Sequence, residues 1–193
     1  MKINPKIKAY AIIALIALLI PISINWFTFL AHFFSDGNDT PVNSLEYKIL
    51  TDSTAAVSKC RPEIENISIP EKIHIEGKDY TVTKIGKKAF SYCRKLTNII
   101  IPSSVTEIEY SAFSGCSSLT NVKLPSNITC INDFTFYECT NLKIIIIPSN
   151  VTSIGYEAFE GCNNLDVVIN NSKDGVNVEM YAFKGCKSVR YTK

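Results

Sequence analysis

Histidine, close metal-ligand pairs and an excess of one charge are what this chain has little of. Its two histidines, His32 and His74, have no acid or nucleophile placed around them in a recognisable pattern. None of its seven cysteines forms a C-x-x-C pair, whereas zinc ligands usually include close pairs. No G-x-S-x-G, H-E-x-x-H or phosphate-cradling glycine loop occurs. No catalytic residue, cofactor or metal site is therefore assigned, and the chain reads as non-enzymatic. Lys and Arg number 20 against 18 Asp and Glu, a net charge of +2 with both signs interspersed. The basic footprint of a nucleic-acid binder is missing.

Charge is absent altogether from Ala9 to Phe34, a run preceded by Lys2, Lys6 and Lys8. This stretch exceeds the roughly 20 apolar residues that span a bilayer. Pro21 and Asn25 interrupt it, and Trp26, Phe27 and Phe29 cluster towards its far end, as at a membrane interface. No A-x-A-like cleavage site follows, which favours an uncleaved signal anchor over a removable signal peptide. The positive-inside rule then gives a cytoplasmic tail at 1–8, a transmembrane helix at 9–34 and everything later outside the cytoplasm. If the segment is cleaved, the remainder is secreted. Residues 35–44 are polar and rich in turn formers, and read as a linker.

What is abundant is repetition. Units starting at Val82-Thr-Lys-Ile85, Val105-Thr-Glu-Ile108, Ile128-Thr-Cys-Ile131 and Val151-Thr-Ser-Ile154 share one frame. Each has Ala-Phe or Thr-Phe, then Cys three residues on, then Leu three further. The phenylalanines fall at 90, 113, 136, 159 and 183, in steps of 23, 23, 23 and 24. Such a unit cannot bury its own apolar face, so a fixed period in this range means a stacked solenoid. Leu96-x-x-Ile99-x-Ile101, Leu119-x-x-Val122-x-Leu124 and Leu142-x-x-Ile145-x-Ile147 place two inward residues on a short strand. Stacked in register, these strands form a parallel sheet with neighbours about 4.8 Å apart. Proline follows the first three strands and helps to stop them. The Phe column is expected on the opposite, convex side. Residues 45–81 hold short strands, with Ile73–Ile75 and Tyr80–Val82 flanking a turn at Glu76-Gly-Lys-Asp79. They read as a non-repeating β cap ahead of repeats at 82–193, the last incomplete.

The unit I-P-x-x-V-T-x-I-x-x-x-A-F-x-x-C-x-x-L resembles the BspA-like leucine-rich repeats over roughly residues 82–193. The fold class is thus a leucine-rich repeat solenoid, of the α/β class and mostly short parallel strands and turns, with an N-terminal β cap and a transmembrane helix. The resemblance implies a surface protein, often an adhesin or ligand-binding protein of a microbe. The chain departs from the pattern at Thr135 in place of Ala, and at Glu138 in place of the Gly seen at 115 and 161. Asn170 falls where an apolar residue is expected, and Asn171 replaces the proline.

Five cysteines, at 93, 116, 139, 162 and 186, are repeat positions, with Cys60 and Cys130 outside the column. Equivalent positions in successive coils point in parallel, which opposes disulfide geometry. They read as small buried apolar residues. Sequons at Asn38, Asn66, Asn127, Asn150 and Asn170 come cheaply in an Asn- and Thr-rich chain.

The outward face of the sheet is the expected recognition surface. By the repeat frame, Ile100, Lys123, Ile146 and Ile169 point outward, flanked by Asn98, Asn121, Ile144 and Val167. Ile100, Lys123, Ile144, Ile146, Val167 and Ile169 are the candidate contacts for a protein or surface-polymer partner, since a partly apolar exposed ladder marks an interaction site. β-Branched residues also favour strands for their own sake. Two alternatives stand beside recognition: assembly or self-association through the C-terminal repeat, and a shortened family member without its own ligand.

Overall fold

The computed structural model describes residues 44–193. The expected tail, membrane segment and nearly all of the linker lie outside the described residues, as do His32 and the Asn38 sequon. Among the described residues, no helix is long and apolar enough to cross a membrane.

Strands follow one another along the chain as β1 (Leu45–Ile49), β2 (Thr54–Cys60), β3 (Asn66–Ser68), β4 (Lys72–Ile75) and β5 (Lys78–Ile85). Then come β6 (Asn98–Ile100), β7 (Glu107–Ile108), β8 (Asn121–Val122), β9 (Cys130–Ile131) and β10 (Ile144–Ile147). The last are β11 (Ser153–Ile154), β12 (Asp166–Ile169), β13 (Asn177–Val178) and β14 (Ser188–Tyr191). The main sheet is parallel and runs β3-β6-β8-β10-β12-β14. A second set of short strands marks the opposite corner of each coil: β2, β5 and β7 in one sheet, β9, β11 and β13 in the next. Between these corners lies the arc carrying Phe and Cys.

The core is a set of stacked columns. Phe90, Phe113, Phe136 and Phe159 are fully buried. Their rings stack at 5.1, 5.2 and 5.3 Å, with Phe183 added at 5.7 Å. Coil spacing and ring spacing match, so each added coil removes one more ring face from water, and burying a phenylalanine contributes ~1.5–3 kcal/mol. The leucines at 96, 119, 142 and 165 form a second column, equally buried.

The cap is smaller than the sequence suggests. β1 covers β2 in antiparallel pairing, but β2 itself pairs parallel with β5, and β3 pairs parallel with β6. Residues 54–70 therefore form a first coil that obeys the repeat geometry. Its frame is obscured because seven residues separate Val57 from Ile64, where eleven separate the matching Ile85 from Leu96. The β4–β5 hairpin is then inserted after Pro70. Its turn is where the sequence places it, with Glu76 and Gly77 at φ of 51° and 78°, the double positive that a tight two-residue hairpin needs.

The fourth full strand also corrects the sequence frame. Val167 lies opposite Ile145 and Ile169 opposite Ile147, so both point inward, and both are fully buried. The frame predicts them outward. The cause is a deletion: Leu142 to Ile145 is three residues, but Leu165 to Val167 is two. Asn170, expected inward, is pushed past the strand, and its N–H donates to the Ile147 carbonyl oxygen. A 3-10 turn at Lys173–Gly175 then inserts two residues before β13. One residue fewer in the strand and two more in the turn give the 24-residue step.

Candidate recognition surface

Outward positions of the main sheet form two rows. One runs Asn66, Asn98, Asn121, Ile144, Asp166 and Ser188 through paired registers. In the other, Ser68 pairs with Ile100, and Ile146 pairs with Val168, which pairs with Arg190. Lys123, the residue after β8, falls between Ile100 and Ile146. Strand geometry alone dictates this split, because successive side chains alternate faces.

Exposure is concentrated at the centre. Ile100 is 60% exposed, Ile146 53% and Ile144 43%. Lys123 is exposed beside them and forms no ion pair among the described residues. Four of the six expected contacts thus share one patch. Asp166 and Val168 take the outward positions in place of Val167 and Ile169, but Val168 is buried there and adds no exposed apolar surface. The polar margin differs at the two ends. Amides of Asn66, Asn98 and Asn121 line one. At the other, the Asp166 carboxylate takes Lys187 Nζ at 2.7 Å and the Ser188 hydroxyl at 2.6 Å. Those two partners hold its carboxyl below the usual range.

Other side chains with chemical potential are committed elsewhere. Four of the five column cysteines donate their Sγ–H to a phenylalanine carbonyl of the preceding coil: Cys116 to Phe90, Cys139 to Phe113, Cys162 to Phe136 and Cys186 to Phe159. Burial pushes the Cys116 and Cys139 thiols up, and Cys186 up to about 12. Cys60, placed outside the column by sequence, is buried against Cys93 at its head. All seven cysteines are free. His74 pairs across the exposed hairpin with Asp79 at 2.7 Å. Among the described residues, no group of three or more His, Cys, Asp or Glu is placed to hold a metal. The Asn127 and Asn150 amides donate to the carbonyl oxygens of Ser103 and Ser126 one coil back, so two of the sequons are stacking devices.

A second strip, of three exposed tyrosines and the half-buried Phe134, escaped the sequence reading. Tyr110, Phe134, Tyr156 and Tyr181 meet edge to face at 5.5, 5.5 and 6.1 Å along the arc side. Their uneven spacing hides them from any search at a fixed period.

Six coils, a buried Phe stack and a cysteine hydrogen-bonded to the previous coil now stand together. The sequence profile of the BspA type leucine rich repeat region matches residues 53–190 in six copies. The chain belongs to this family. The six BspA-type copies begin where β2 begins, in accord with the extra coil before residue 82. A leucine-rich repeat protein from Bacteroides ovatus is 33% identical with a TM-score of 0.67, over 79% of this chain and 41% of that one. The T. pallidum leucine-rich repeat protein is 28% identical with a TM-score of 0.67, over 79% and 71%. One from Bacteroides capillosus is 32% identical with a TM-score of 0.57, over 66% and 94%. The chain thus spans well under half of the B. ovatus protein. No protein of curated function matches it.

Proposed function

We propose that this BspA-type solenoid is a non-enzymatic recognition module, displayed outside the cytoplasm, that binds a protein partner through the patch of Ile100, Lys123, Ile144 and Ile146. The exposure of three isoleucines on one rigid sheet carries the reading. The fold leaves about half of each isoleucine in water, and burying that remainder against a partner contributes on the order of 1 kcal/mol per residue. The sheet is preformed, so little ordering entropy opposes association. Asn66, Asn98 and Asn121 supply hydrogen-bonding groups at the margin, as in interfaces with an apolar centre and a polar rim. Export rests on the apolar segment at 9–34, and adhesion to a host or neighbouring cell is the concrete form the family suggests.

Photo-crosslinking in the native cell tests this, with the probe at position 146 and a control probe at position 184 on the arc side. Capture of one protein at 146 alone supports the sheet as the recognition surface. Capture at 184 alone, or at neither position, overturns it.

A further inference from the structure

A notch of about 190 Å³ opens on the arc, away from the main sheet, lined by Tyr92, Arg94, Gly115, Ser117, Glu138 and Thr140. It is made by departures from the repeat frame. The residue before each column cysteine has positive φ: Tyr92 58°, Gly115 73°, Glu138 55°, Gly161 80° and Gly185 85°. That conformation suits glycine and disfavours a side chain. Two non-glycines are nonetheless held there on either side of a glycine: the Tyr92 ring reaches over Gly115, and the Glu138 side chain, from the far side, lies against Gly161 of the next coil.

The walls are defined. The Tyr92 ring lies on Gly115, where an added Cβ would come within 2.6 Å of Cδ1. The Arg94 guanidinium sits 5.7 Å from the centre of the same ring. Glu138 and Thr140 come from the coil beyond, and Ser117 from the coil between. Neither Arg94 nor Glu138 forms an ion pair among the described residues.

Opposite charges on a shared notch select against ions. An anion drawn to Arg94 meets Glu138, and a cation drawn to Glu138 meets Arg94. A neutral ligand bearing several hydroxyls satisfies both, donating to the carboxylate and accepting from the guanidinium; the Ser117 hydroxyl can do either, and Thr140, whose hydroxyl donates to the Ser117 carbonyl oxygen, can accept. The one aromatic wall suits the C–H face of a saturated ring. The volume lies below the usual range for drug-sized ligands, so it admits a single ring. We propose that this notch binds one neutral pyranose unit of a glycan. The site is separate from the isoleucine patch and stands or falls independently of it.

The test is an NMR titration of the full chain, in a detergent without a sugar headgroup. The probes are the methyl glycosides of glucose, galactose and mannose, with acetate and guanidinium as charged controls. At least one glycoside should shift the Tyr92, Ser117 and Thr140 amide signals saturably, with a millimolar dissociation constant. Glu138→Gln and Arg94→Gln each keep side-chain bulk and should weaken binding about tenfold, while Lys95→Gln, outside the notch, should not. The proposal is overturned if no glycoside shifts those signals, if both notch variants bind as the parent does, or if acetate or guanidinium displaces the sugar.

Discussion

Cys139 donates its Sγ–H to the Phe113 carbonyl oxygen at 3.2 Å, one coil back. The Phe113 N–H meanwhile donates forward to the Thr135 carbonyl oxygen at 2.9 Å. The peptide units on both sides of one phenylalanine are therefore tied to the following coil, while its ring is fixed by stacking on both sides.

Removing the thiol should weaken this attachment without unfolding the chain. Cys139→Ala loses a buried hydrogen bond and a small volume, so ~1–2 kcal/mol of stability is expected to go. Phe136→Ala opens the ring stack itself and should cost ~3–5 kcal/mol. Urea denaturation of both variants checks the order.

Buried thiols give the protein an alkaline limit. The Cys186 thiol is pushed up to about 12, whereas an unfolded thiol titrates near ~8.5. Stability from such a group is full below the unfolded value. Above it the unfolded chain releases protons that the folded chain keeps, so stability falls as pH rises towards the folded value. Urea midpoints should decline between about pH 8.5 and 12, and less steeply in Cys186→Ala. In native protein near neutral pH, an alkylating reagent should modify Cys130, which is partly exposed, before the buried Cys93, Cys116, Cys139 and Cys162.

Faces of the sheet separate cleanly by mutation. Ile146→Asp places a charge in water and should leave the melting temperature nearly unchanged while abolishing partner capture. Val167→Asp buries an unpaired carboxylate in the core, and a loss of more than ~3 kcal/mol is expected. Thermal melts of the two variants side by side decide it. Equal effects would mean that β12 has been assigned to the wrong register.

Gly115 has its own signature, because its backbone is left-handed and the Tyr92 ring occupies the space a side chain would need. Gly115→Ala should lose ~1 kcal/mol or more. Part of that loss should return in Tyr92→Ala/Gly115→Ala, because the contact with the ring is gone while the backbone penalty stays. A double-mutant cycle on denaturation free energies measures the coupling.

The frame of Phe, Cys and Leu was legible because each of those side chains must occupy the same place in every coil, and a stack tolerates no drift in its core. Turns and strand starts tolerate it. The deletion before Val167 and the two-residue insertion at Lys173–Gly175 leave a net shift of one, so a fixed-step count misplaces Val167 and Ile169 while still passing within one residue of Phe183. The first coil was hidden in the same way, by a short arc after Val57 and the β4–β5 hairpin. The notch could not be read at all. It depends on which of Tyr92, Gly115 and Glu138 has a side chain, and on three coils lying side by side.

The intercoil bonds all run along the solenoid axis, and this sets how the molecule responds to load. A pull that separates its two ends acts on one coil's bonds at a time. Each released coil of 23 residues then adds roughly 75–80 Å of extended chain. A solenoid of this kind lengthens stepwise under tension and leaves the remaining coils stacked.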